Sequence, residues 1–146
     1  MLLLSTLVGC LHLGLRPVDV YDPAVLSRVF GDVEVLAPVA EPGIDEAARG
    51  ALMTALVARG AMGEGPAVRV TIVEASLEPA LRGDAATGAL WYRVRLVAHV
   101  EEQGRARDFV LQDWVAEDGQ VPDRARIFRG LSERLAQQVA GWLVGG

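Results

Sequence analysis

Between Ile44 and Leu56, and again between Phe128 and Trp142, apolar residues recur every three or four positions, so each segment carries one hydrophobic stripe that must be buried. Ile44, Ala48, Ala51, Leu52, Ala55 and Leu56 form the first stripe, and Phe128, Leu131, Leu135, Val139 and Trp142 the second. Two single-striped helices need a common apolar floor, and the residues between them supply it in a different period. Val68, Val70 and Ile72 alternate with Arg69 and Thr71. Tyr92, Val94, Leu96, Ala98 and Val100 line one face of the next strand, and Phe109 and Leu111 continue that face beyond a hairpin turn at Glu102-Gln103-Gly104. Ahead of the first helix, Asp32–Val39 reads as a strand, with Pro38 holding it to an edge or to its own end. The expected order is β-α-β-β-β-α, an α+β fold with two helices packed on one face of a four-stranded, mostly antiparallel sheet.

Local punctuation agrees with that order. Asp45 and Glu46 favour the positive end of the first helix, Arg59-Gly60 closes it, and Asp123 after Pro122 caps the last helix. The stretch Gly60–Pro66, GAMGEGP, has the glycines of a phosphate-cradling loop, but it follows a helix and precedes a strand. That order aims no helix N-terminus at a phosphate, so the stretch is expected to be a flexible connection. Glu78–Ala89 is likewise expected to be a loop.

The chain begins MLLLSTLVGC, an apolar run far shorter than the roughly 20 residues a membrane-spanning helix requires. Leu7-Val8-Gly9-Cys10 fits a lipobox, in which small residues before a cysteine permit cleavage and the thiol takes a diacylglycerol group. No basic residue precedes Arg16, and the competing reading makes the run a core strand with Cys10 as a small buried hydrophobe. On the lipobox reading, residues 1–9 are a lipoprotein signal peptide, 10–31 a lipidated tether and 32–146 a single α+β domain. Leu11 after the cysteine fits sorting to the outer membrane.

Composition narrows the function. A chain 51% hydrophobic and 23% charged is a folded globule, and its net charge of −5 disfavours nucleic acid as a partner. Cys10 is the sole cysteine, so stability rests on packing without disulfides. His12 and His99 stand alone, and Ser27, Ser76 and Ser132 have no triad-like setting. The expectation is a protein that is not an enzyme and takes no metal or cofactor.

The sheet's second face holds the candidate binding residues. If Tyr92, Val94 and Leu96 face the helices, then Trp91, Arg93, Arg95, Val97 and His99 face away, joined by Arg69 and Thr71 and by Val110, Gln112 and Trp114. Arg69, Trp91, Arg93, Arg95 and Trp114 would then offer guanidinium forks with apolar flanks to a phosphorylated lipid or a partner's wall. The competing reading is a solvated face whose arginines pair with Glu34, Glu74 or Asp113. On the last helix, Arg124, Arg126, Arg129, Glu133 and Arg134 are expected to form a wet face, and Trp142 to anchor in the core.

Several stretches resemble one family. GLRP at Gly14–Pro17, ALMTALVARG at Ala51–Gly60, YRVRLVAHV at Tyr92–Val100 and ARIFRGLSERLAQQVAGWL at Ala125–Leu143 are similar to segments of the LPS-assembly lipoproteins (LptE). The sequence departs from that pattern at Leu11, where glycine is usual, and at Leu15, where an aromatic residue is common. The resemblance implies a lipoprotein at the periplasmic face of the outer membrane, anchored through Cys10. Its implied partner is an outer-membrane β-barrel protein, with lipopolysaccharide as a further ligand. Other envelope lipoproteins share the element order, which keeps open a regulator of a peptidoglycan synthase or of another periplasmic assembly.

Overall fold

The computed structural model describes residues 28–83, 90–117 and 121–145. Cys10, the lipobox and most of the expected tether lie outside the described residues. The elements run β1 (Phe30–Leu36), α1 (Ile44–Val57), β2 (Met62–Gly83), β3 (Leu90–Glu102), β4 (Arg105–Glu117) and α2 (Arg124–Gly145). The strands lie in the order β1-β2-β3-β4. β1 is parallel to β2, with α1 as the crossover such a pair requires, and the remaining pairs are antiparallel. The expected α+β order is therefore the observed one.

Both helices cover one face. Ile44, Ala48, Leu52, Ala55 and Leu56 of α1 and Phe128, Leu131, Leu135, Val139 and Leu143 of α2 meet Val68, Val70, Ile72, Val94, Leu96, Ala98 and Val100 in one core. Each large side chain fully buried there contributes about 1.5–3 kcal/mol of hydrophobic stabilisation. The α2 stripe ends in Leu143 rather than Trp142, because four residues, not three, restore the inward direction after Val139. Trp142 lies half-buried beside the stripe, edge-on to Phe109 at 5.9 Å between ring centroids and 4.9 Å beneath the Arg105 guanidinium.

β1 ends at Leu36 rather than Val39, and three further boundaries differ from expectation. β1 begins at Phe30, inside the segment assigned to the tether, and Phe30 is fully buried with its N–H donating to the Ala61 carbonyl at 2.9 Å. The adjacent glycine allows this. A Cβ on Gly31 would lie 2.4 Å from the Gly65 carbonyl oxygen, so the backbones of β1 and β2 approach more closely than any side chain permits. Second, the Gly60–Pro66 stretch is mostly strand: β2 starts at Met62, and only a short turn through Gly60 at φ 64° separates it from α1. Third, β2 continues through the supposed loop to Gly83, with Pro79 opposite Tyr92. β1 stops opposite Thr71, so β2 is an edge strand by then and tolerates the proline.

Two local devices set the register that positions the outer face. Gln103 and Gly104, at φ 43° and 78°, form the two-residue turn of the β3–β4 hairpin, whose paired positive φ values match the right-handed twist of the strands. In β2 a bulge at Val73 skips one residue between the Ile72–Ala98 and Glu74–Val97 pairs. One extra residue exchanges the faces of everything beyond it. Val68, Val70 and Ile72 face the helices before the bulge, and Ala75 and Leu77 take that direction after it. Glu74, Ser76 and Glu78, which strict alternation would turn into the core, are thereby carried to the outer face.

Candidate docking face

Because both helices occupy one side, the sheet's other side is bare among the described residues. On β3, Trp91, Arg93, Arg95, Val97 and His99 point outward, since Val94, Leu96, Ala98 and Val100 are buried between them. The register sets Trp114 opposite Arg93, Gln112 opposite Arg95 and Val110 opposite Val97. Trp91 lies opposite Ala116, which makes the two tryptophans diagonal neighbours within reach of each other. Trp91, Arg93, Arg95 and Trp114 therefore form one patch. Arg69 is not part of it. It stands opposite Glu101, eight positions along β3 from Arg93, or roughly 27 Å at about 3.4 Å per residue.

The arginines of this face are paired within the sheet. The Arg95 Nε donates to Glu74 at 3.0 Å, Arg93 bonds to Glu78, and Arg69 meets Glu34 at 3.4 Å. Glu74 also accepts a hydrogen bond from the Ser76 hydroxyl at 3.0 Å. The bulge at Val73 supplies these carboxylates to Arg93 and Arg95. Of the partners expected for a solvated face, Glu34 and Glu74 serve that role; Asp113 lies on the helix side, 2.5 Å from Arg134. Each exposed pair is worth about 0–1 kcal/mol, so the ionic grid orients side chains more than it stabilises the fold.

His99 closes the grid at the hairpin end. Its Nδ1 lies 2.6 Å from Asp108 and its Nε2 3.8 Å from Glu101, and the hydrogen bond to Asp108 raises its pKa above 6.5. Between the ion pairs the face is apolar: Val73 is 52% exposed, Val110 51%, Trp114 50% and Trp91 38%. Exposed tryptophans beside an arginine are the side chains that most often dominate binding energy at interfaces.

Arg124, Arg126, Arg129, Glu133 and Arg134 of α2 are exposed, the expected wet face, and some of these arginines also tie the helix down. Arg124 meets the buried Glu41 at 2.5 Å, and Arg126 reaches Glu117 at 2.8 Å. A second buried carboxylate, Glu102, accepts two bonds from Arg105 at 2.8 and 3.0 Å and lies 3.8 Å from Arg28. Glu102, which the sequence places in the hairpin turn, is instead the last residue of β3, and the alternation through Ala98 and Val100 points it inward.

Among the described residues no group of three metal-ligating side chains lies together. No described helix is long and apolar enough to cross a membrane. The Ser132 hydroxyl is buried in the core without a hydrogen-bond partner among the described residues.

No family model matches the sequence, and no curated protein matches it. Solved structures do. A minor lipoprotein from Acinetobacter baumannii superposes with a TM-score of 0.50 at 14% identity, over 81% of this chain and 93% of that one. An uncharacterized lipoprotein B from Nitrosomonas europaea superposes with a TM-score of 0.45 at 12% identity, over 80% of this chain and 86% of that one. At 14% identity the likeness to the Acinetobacter structure is one of fold: this chain has a fold that a lipoprotein shares.

Proposed function

We propose that this chain is an envelope lipoprotein, anchored through Cys10 at the periplasmic face of the outer membrane, that supports lipopolysaccharide assembly by docking its bare sheet face on a β-barrel partner. The carrying observation is the Trp91–Arg93–Trp114 patch, half-exposed aromatic and guanidinium groups on a face that no described helix covers. The lipobox and the fold shared with a lipoprotein support the envelope setting. The carboxylates on Arg93 and Arg95 favour a protein wall over a phosphate as the first contact, because a phosphate must displace Glu74 and Glu78 before the guanidiniums can grip it.

Co-purification from detergent-solubilised membranes tests the reading. A barrel protein held by the wild type and lost from the Trp114→Ala protein supports it, whereas a peptidoglycan synthase in its place supports the regulator. The Arg93→Gln/Arg95→Gln protein is expected to keep its melting temperature and to bind the barrel, or lipid A, about 1–3 kcal/mol more weakly. Unchanged binding to both would remove the function from this face.

A further inference from the structure

We propose that the free edge of β4 pairs with the same edge of a second copy, antiparallel and centred on Val110, joining two four-stranded sheets into one. The inference is independent of the anchor and of the barrel partner. Among the described residues β4 ends the sheet, and its backbone alternation follows from the hairpin. A two-residue turn closes on a hydrogen-bonded pair, here Glu102 and Arg105. Counting along the ladder in steps of two, Phe109, Leu111 and Asp113 bond to β3, while Asp108, Val110, Gln112 and Trp114 turn their N–H and C=O groups to the open side. Trp114 bears this out, since its N–H donates to its neighbour Asp113 at 2.8 Å. That carboxylate blunts the edge at Trp114 and leaves the stretch around Val110 uncapped.

Charge selects the register. With Val110 opposite its own copy, Arg107 faces Asp113 twice across the symmetry axis, and Asp108 faces Gln112. Arg107 lies over the Phe109 ring at 5.2 Å and has no carboxylate within ion-pairing distance among the described residues. Centring on Asp108 would oppose that carboxylate to itself, and centring on Gln112 would set Asp113 against Leu111. Apolar continuity selects the same register. Val110 stands opposite Val97 within one sheet, so the junction would align Val97, Val110, Val110 and Val97 in an unbroken row across the outer face.

The test uses the full chain carrying Cys10→Ser, so that an introduced cysteine is the sole thiol. Light scattering should give twice the chain mass at rising concentration. Val110→Cys should cross-link to itself with a short bis-maleimide. Asp108→Cys and Gln112→Cys should each stay uncoupled alone and cross-link when mixed. Arg107→Glu, which sets a like charge against Asp113, should weaken self-association about tenfold or more while the melting temperature holds. A monomer at every concentration would overturn the proposal. So would a dimer in which Val110→Cys fails to couple while Asp108→Cys or Gln112→Cys couples alone.

Discussion

Gly65 and Gly50 show how one added methyl group can act with opposite sign. An alanine Cβ at Gly65 would lie 1.9 Å from the Val29 carbonyl oxygen, a backbone atom that cannot swing aside, so β1 would have to move. Gly65→Ala is expected to cost at least about 1–3 kcal/mol. At Gly50, inside α1, nothing lies within 4 Å of the new Cβ, and Gly50→Ala should stabilise by about 0.8–1 kcal/mol. Denaturant melts of the two variants check the pair, and a shared sign would refute the close approach of β1 and β2. His99 gives a pH-dependent counterpart. Its hydrogen bond to Asp108 favours the imidazolium in the folded state and raises the pKa above 6.5. The stabilisation is fully present below pH 6.5 and is lost as pH rises through the higher folded value. An NMR titration should show the His99 midpoint above 6.5 and its return toward 6.5 in Asp108→Asn; a midpoint that ignores the substitution would break the assignment.

Among the elements, what could be read beforehand divides by range. α1, α2 and the β3–β4 hairpin were legible because period, capping and turn chemistry act within a few residues: the Asp123 carboxylate does accept the Arg126 N–H, at 3.0 Å. The start of β1 and the length of β2 were not, since Phe30 and Pro79 become strand residues only through partners far along the chain, Ala61 and Tyr92. The candidate site divides in the same way. That Trp91, Arg93 and Arg95 share a face follows from alternation alone, whereas the distance of Arg69 follows from register. The carboxylates on Arg93 and Arg95 depend on the Val73 bulge, which no local pattern in β2 announces. Leu96 tests the legible part. It is fully buried at the centre of β3, and Leu96→Ala should cost roughly 2–5 kcal/mol. A melting temperature within a degree of wild type would contradict its inward direction.

For the whole molecule, the proposed lipidation of Cys10 has a direct consequence. Cys10→Ser should release the protein from membranes into the soluble periplasmic fraction, and intact mass should show acyl chains on the wild type alone; persistent membrane attachment with no acyl mass in the wild type would refute lipidation. The parallel pairing of β1 with β2 bears on how the chain is made. β1 is synthesised first, yet Phe30 finds its register partner only at Met62. The hairpin of β3 and β4 forms by local closure in microseconds once its turn is out, but α2, which roofs much of the core, is the last of the described elements to emerge. Until it arrives the valine-rich inner side of the sheet is open to water and to other chains, so the emerging polypeptide depends on chaperone cover until α2 has joined the sheet.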